Sequence, residues 1–168
     1  MTNVTNRHPA PLIGIVMGSR SDWPCMSKAA DILNALDIPF EASVMSAHRT
    51  PDRVHNYITG AKERGIKVII GAAGGAAHLA GVCASLTTLP VIGIPMKTSA
   101  LGGMDSLLST VQMPKGIPVA TMGIGDSGAI NGALFAAALC AHVDEEIANR
   151  LVAYRKEMSA AVPETVVD

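Results

Sequence analysis

Apolar runs of strand length alternate with longer segments of helical periodicity along this chain. Residues 12–17 (LIGIVM) read as a buried strand closed by Gly18 and Ser19. Residues 23–36 follow with an apolar spacing of about 3.6 residues, the period of a helix. Residues 40–45 form a second strand, ended by Ser46-Ala47-His48-Arg49-Thr50-Pro51. Pro51 suits a first helical turn, Thr50 is placed to cap it, and residues 52–64 continue it. Residues 68–72 are a third strand, after which Gly74 and Gly75 lead into a small-residue helix over 76–86. A fourth strand is predicted at 91–94, then a loop and a short helix near 106–112. A fifth strand covers 118–122, and an Ala-rich helix 128–141. An amphipathic helix over 144–161 closes the pattern, with Asp144, Glu145 and Glu146 as its acidic first turn.

Strand and helix alternating in this way predict βαβ units: a parallel sheet with helices on both faces and right-handed crossovers. Continuous Val/Ile runs suit strands covered on both sides. No internal repeat, low-complexity block or linker divides the chain. The expectation is one three-layer α/β domain over residues 1–168, with residues 1–10 a flexible N-terminal tail and 162–168 a C-terminal tail.

Composition narrows the function. Thirteen Lys and Arg against fourteen Asp and Glu leave a net charge of −1, which argues against a nucleic-acid binder. Charged residues make up only 16% against 49% hydrophobic, so part of the outer surface is expected to be buried against further copies of the chain. One Trp, two Tyr and two Phe leave few rings to sandwich a flavin or stack on bases. Cys25, Cys83 and Cys140 are far apart, which argues against a disulfide framework and a zinc site. No apolar stretch near the start reads as a signal peptide, and no run long enough to span a membrane occurs. The protein is expected to be soluble and cytoplasmic.

In an open parallel sheet, ligands bind beyond the carboxyl ends of the strands, so chemistry is sought in the loops that follow them. After the first strand comes Gly18-Ser19-Arg20-Ser21-Asp22-Trp23. Glycine lets the backbone approach an anion, the helix offers free N–H groups, Ser19 and Ser21 add hydroxyls, and Asp22 suits sugar hydroxyls. Ser21 or Asp22 as a simple helix cap is the competing reading. After the second strand, Arg49 presents a fork suited to phosphate or carboxylate, and His48 beside it suits proton transfer. Ser46 adds a hydroxyl, and a capped surface turn is compatible with both roles. After the third strand, Gly74, Gly75, Ala76 and Ala77 precede His78, implying a small pocket or tight packing between subunits; for His78 itself a satisfied buried histidine is expected. The loop over 97–105, with Gly102 and Gly103, reads either as a mobile lid or as ordinary surface. His8, His55 and His142 are read as structural or solvated. The chemistry implied is proton transfer on a small phosphorylated ligand.

At these residues the sequence closely resembles the class I (PurE) family of 5-(carboxyamino)imidazole ribonucleotide mutases. The motifs are the two loops at 18–23 and 46–51, the run Gly74-Gly75-Ala76-Ala77-His78-Leu79, and Asp105-Ser106-Leu107-Leu108-Ser109-Thr110-Val111-Gln112-Met113-Pro114. The resemblance implies a flavodoxin-like three-layer fold and a homo-octamer. It also implies a reaction without metal or organic cofactor, in which a carboxylate moves from an exocyclic nitrogen to ring carbon 4 of an aminoimidazole ribonucleotide. It implies as well a substrate handed over by an ATP-dependent carboxyaminoimidazole ribonucleotide synthetase. It assigns His48 as general acid/base and counts His78 as a second catalytic residue. Ser19, Ser21, Ser46 and Arg49 fall on phosphate positions, Asp22 on the ribose, and 74–78 on the carboxylate and carbon dioxide pocket. Two departures stand out. The family usually has Pro and Met where this chain has Ala80 and Val82, so a looser helix start is expected. It also often has Gly where this chain has Ala72, at a cost of about 1 kcal/mol if that position needs positive φ.

Two other readings compete. A class II carboxylase would use free carbon dioxide on aminoimidazole ribonucleotide. A non-enzymatic flavodoxin-like receiver or flavin module would need an aspartate after the third strand, or aromatic walls, and the chain offers neither.

Overall fold

The computed structural model describes residues 10–165. The strands are β1 (Ile13–Met17), β2 (Phe40–Val44), β3 (Val68–Ala73), β4 (Val91–Pro95) and β5 (Ala120–Thr121). The helices are α1 (Trp23–Ala35), α2 (Pro51–Thr59), α3 (Leu79–Leu86), α4 (Met104–Val111), α5 (Asp126–Ala141) and α6 (Glu145–Ala160), and a 3-10 turn, Arg20–Asp22, precedes α1. The strands form one parallel sheet in the order β2-β1-β3-β4-β5, the flavodoxin-like arrangement. Its switch point lies between β1 and β3, the position where such sheets open a crevice at their carboxyl edge. No helix among the described residues is long and apolar enough to cross a membrane.

Two cores explain the unbroken apolar strands. Successive side chains of a strand point to opposite faces. Ile13, Ile15 and Met17 of β1, with Ile70, Ala72, Ile92 and Ile94, join Met26 and Leu33 of α1 and Ala133 and Ala137 of α5. Val16, Ile69 and Val91 point the other way, into Val54, Ile58, Leu79 and Cys83 of α2 and α3. A strand clothed on both faces has no polar side to show, which is why the sequence reads as continuous hydrophobic runs.

On the α2–α3 face the helices ride close to the sheet. A methyl on Gly71 would stand 3.2 Å from Cα and Cβ of Ala80, and one on Gly93 2.5 Å from Thr110 Cγ2 and 2.9 Å from Val119 Cγ1. Ala80 is thereby seated at the start of α3 against two strand glycines. Ala72 has no strained backbone: among the described residues, Asp37 is the one non-glycine with positive φ. The anticipated penalty at position 72 is absent, and its methyl is simply buried in the α1–α5 core.

The elements differ from expectation mainly at their ends. α2 stops at Thr59, not Arg64, because residues 60–66 fold into tight turns that bring Ala61 and Ile66 into the core. α3 starts at Leu79 rather than 76, since Ala77 and His78 donate to the carbonyls of Gly75 and Ala76 in turns. β5 shrinks to two residues at the sheet edge. α5 begins earlier, at Asp126, and α4 at Met104, each behind a glycine of positive φ. Asp144 caps α6 through its carboxylate, which accepts from the amides of Glu146 and Ile147. Most of the two proposed tails, residues 1–9 and 166–168, with His8, lies outside the described residues.

The Gly93 contact gives a direct check. The Thr110 methyl is short, β-branched and held by the bond from its hydroxyl to Ser106 O, so it cannot swing aside. Gly93→Ala is expected to destabilise the protein by about 1–3 kcal/mol through overpacking. Denaturant unfolding of the two proteins measures it, and an unchanged midpoint would show that α4 yields freely.

Candidate active site

The carboxyl ends of β1, β2 and β3 converge on a cavity of about 430 Å³. Its walls bring together Ser19, Ser21 and Asp22 from the first loop, Ser46, His48 and Arg49 from the second, and Gly74, Ala76 and His78 from the third. Convergence follows from register. Met17 pairs with Val44 on one side and Ala72 on the other, so the three chains leave the sheet at one level.

The loops are tied to one another before any ligand arrives. Arg49 Nη2 donates to the carbonyl of Gly18 at 3.1 Å, joining the second loop to the first. Within the first loop, the Ser19 amide donates to an Asp22 carboxylate oxygen at 3.0 Å, and Ser19 Oγ accepts from both the amide and the hydroxyl of Ser21. The cap is therefore Ser19 with Asp22 in a reciprocal box, rather than Ser21 or Asp22 alone. Burial pushes the Asp22 carboxyl above its ordinary value, and the Ser19 amide partly offsets that. Thr50 does not cap α2; its hydroxyl accepts from the Ser46 amide and donates to the Ser46 carbonyl, closing the second loop on itself.

The two histidines meet. His48 Nε2 lies 2.9 Å from His78 Nδ1, with the rings edge to face. One of these nitrogens must donate and the other accept, so a single proton occupies the space between them. His78 is thus not a buried histidine satisfied by the core: it is exposed at the cavity and paired across two loops. His55 and His142 are exposed and lie outside the cavity walls.

Gly75 and Ala77 do not line the cavity. Their backbones are gripped from behind by α4: the Gly75 amide donates to Ser106 Oγ at 2.9 Å, Ser109 Oγ donates to the Gly75 carbonyl at 3.1 Å, and Thr110 Oγ1 reaches the Ala77 carbonyl at 3.4 Å. These hydroxyls were not assigned from composition or periodicity. Periodicity signals them only as three hydroxyl residues on so short a helix, although all three fall within the 105–114 motif of the family resemblance. Met96, Lys97 and Thr98, which follow β4, also line the cavity. The rule that picks out strand-end loops applies equally to them. Cys25, in a neighbouring cavity, is pushed up to about 12 by burial and by the nearby Asp126 and Asp22, so it stays a thiol rather than a nucleophile.

Residues 12–161 match the family described as AIR carboxylase. An N5-carboxyaminoimidazole ribonucleotide mutase of Bacillus subtilis (strain 168) is 56% identical over 155 residues, covering 92% of this chain and 96% of that protein. A protein of the same name from Brucella melitensis biotype 1 is 56% identical over 152 residues, covering 90% and 94%. The crystal structure of Treponema denticola PurE superposes with a TM-score of 0.80 at 28% identity, covering 89% of this chain and 92% of that one.

If α4 holds the glycine loop in place, removing its buried hydroxyl should free that loop. Ser106 is fully buried, so Ser106→Ala leaves the Gly75 amide without its acceptor, at about 1–2 kcal/mol. Amide hydrogen exchange should show Gly75 faster by roughly tenfold or more, and unchanged protection would assign the loop's order to other contacts.

Proposed function

The chain belongs to the AIR carboxylase family, and we propose that it is the mutase of that family, an isomerase of purine biosynthesis that moves the carboxylate of 5-(carboxyamino)imidazole ribonucleotide from the exocyclic nitrogen to ring carbon 4. Relatives at 50–56% identity over most of their length bear the mutase name, and the carboxylase and binding-module readings have no comparable support. The observation in the molecule that carries the reading is the His48–His78 contact at 2.9 Å on the wall of one cavity.

The reaction asks for little beyond proton movement and confinement. Protonating the carbamate nitrogen breaks its bond to the carboxyl carbon and releases carbon dioxide and the neutral amine. The electron-rich ring carbon 4 then attacks that carbon dioxide, forming a carbon–carbon bond and leaving a tetrahedral centre that still carries its hydrogen. Removing this proton restores aromaticity and yields 4-carboxy-5-aminoimidazole ribonucleotide. One proton is delivered and one recovered, so a single acid/base that cycles suffices. His48 is assigned that role. His78 faces it through the shared proton and orients its ring. Ser19, Ser21, Ser46 and Arg49 hold the phosphate, Asp22 the ribose, and Gly74 and Ala76 shape the space in which carbon dioxide waits, with Gly75 and Ala77 fixing their backbone from behind. Arg49 and the amides at the helix start suit a phosphate for the reasons of charge and geometry already given.

Several features extend the proposal. The protein works as one domain and as a homo-octamer in the cytoplasm. The support for assembly is the low charge content and the exposed apolar residues at and just before α4, where Leu101, Met104, Leu108 and Val111 are 63%, 50%, 52% and 47% exposed. A carbamate substrate decomposes unless used promptly, so an ATP-dependent carboxylating synthetase must supply it nearby.

Reverse turnover of 4-carboxy-5-aminoimidazole ribonucleotide, with the carbamate trapped by the reverse synthetase, tests the reading against a parallel assay on aminoimidazole ribonucleotide plus bicarbonate. Fast isomerisation with little fixation of free carbon dioxide is expected; efficient fixation would make the protein a carboxylase instead. His48→Asn is expected to lower kcat by at least about 100-fold while ligand still binds, and near-parental turnover would remove His48 from the chemistry.

A further inference from the structure

Lys97 carries no assigned role, yet it stands at the junction of two cavities. It lines the site just described and also a second space of about 370 Å³. Ser21, Asp22, Met96 and Lys97 are common to both, whereas Cys25, Ile124, Gly125 and Asp126 belong to the second alone. His48, His78, Arg49 and Gly74 do not reach the second space, so Lys97 lies on the Ser21–Asp22 flank of the site.

Its backbone is fixed while its ammonium is not. The Met96 amide donates to Ala73 O, extending the β3–β4 pairing to the residue before Lys97. Thr98 Oγ1 donates to the Asp105 carboxylate at 2.8 Å and accepts from the Gly103 amide at 3.2 Å, which ties off the loop that follows. A methyl on Gly103 would stand 3.3 Å from Lys97 Cα, so the loop packs against the Lys97 backbone. The Lys97 side chain is exposed, and it enters neither of the ion pairs found among the described residues. Asp22 and Asp126 line its surroundings without pairing with it.

Charge arithmetic supplies the purpose. The proposed substrate carries a phosphate monoester of about −1.5 to −2 and a carboxylate, close to three negative charges in all. Arg49 already spends one donor on Gly18 O, and Asp22 opposes an anion when ionised. Arg49 and Lys97 are the two Lys or Arg side chains on the cavity wall.

We propose that Lys97 is a second binding cation for the phosphoribosyl end of the substrate, drawing the anion in along the Ser21–Asp22 flank, and this rests on the mutase reading above. Because it lies away from the histidine pair, Lys97 acts on capture rather than on carboxylate transfer.

The test compares the parent with Lys97→Met, Lys97→Arg and Lys97→Glu in two assays. One is isomerisation of 4-carboxy-5-aminoimidazole ribonucleotide across a salt series. The other is calorimetric binding of aminoimidazole ribonucleotide, which lacks the migrating carboxylate. In Lys97→Met, KM and Kd are expected to rise about tenfold, with the loss falling in KM rather than kcat. Lys97→Arg should regain most of the affinity, Lys97→Glu should lose more, and the parent's kcat/KM should fall more steeply with salt than that of Lys97→Met. An unchanged Kd with a lowered Tm would overturn the proposal, because Lys97 would then only balance Asp22 and Asp126. A fall in kcat at constant KM would also overturn it, placing Lys97 at the reacting carboxylate. A parent that binds the ribonucleotide without isomerising it would sink the mutase reading alone, and weaker binding by Lys97→Met would still support the anion contact.

Discussion

Two ring nitrogens 2.9 Å apart have room for one proton between them, and this constraint organises the site. If both carried hydrogens they would collide; if neither did, two lone pairs would face each other. One ring therefore donates and the other accepts, and the tautomer of each ring sets that of its partner. His48 lies in the middle of the loop after β2 and His78 stands before α3, thirty residues apart in the chain, so their contact depends on the sheet that places both loops at one edge.

That dependence runs back through the packing. β1 pairs with both β2 and β3, so one strand sets the level of the loops carrying Ser19, His48 and His78. Gly71 and Gly93 let α3 and α4 settle close to the sheet, and α4 then reaches the glycine loop with three hydroxyls. The second loop is fixed from its own side by Thr50 on Ser46 and from the first by Arg49 on Gly18. The proposed site residues stand on loops, but each loop is held by hydrogen bonds to a strand or helix, so little ordering is left for a ligand to provide.

Much of this was legible in the chain, for identifiable reasons. Strand-length apolar runs with helical stretches between them announce a parallel sheet, and strand-end loops then pick out Ser19, Asp22, His48 and Arg49 without further information. Harder to read was anything decided by contacts distant in sequence. His78 sits among Ala, Gly and Leu, a neighbourhood that signals burial; only the meeting with His48 shows why it is exposed. Ser106, Ser109 and Thr110 look like polar positions on a short amphipathic helix, and their service to Gly75 and Ala77 is visible only once α4 is folded against β4. The early end of α2 has the same origin, since the core claims Ala61 and Ile66. Lys97 falls two residues beyond β4, in a stretch that reads from the sequence as part of a loop.

Nitrogen-15 NMR of the imidazoles of His48 and His78 bears most directly on the shared proton. One protonated and one lone-pair nitrogen are expected at the His48 Nε2–His78 Nδ1 contact, with coupling across the hydrogen bond, and a changed His48 spectrum when His78 is replaced by Ala. Protons on both facing nitrogens, or a His48 spectrum indifferent to His78, would contradict a shared proton.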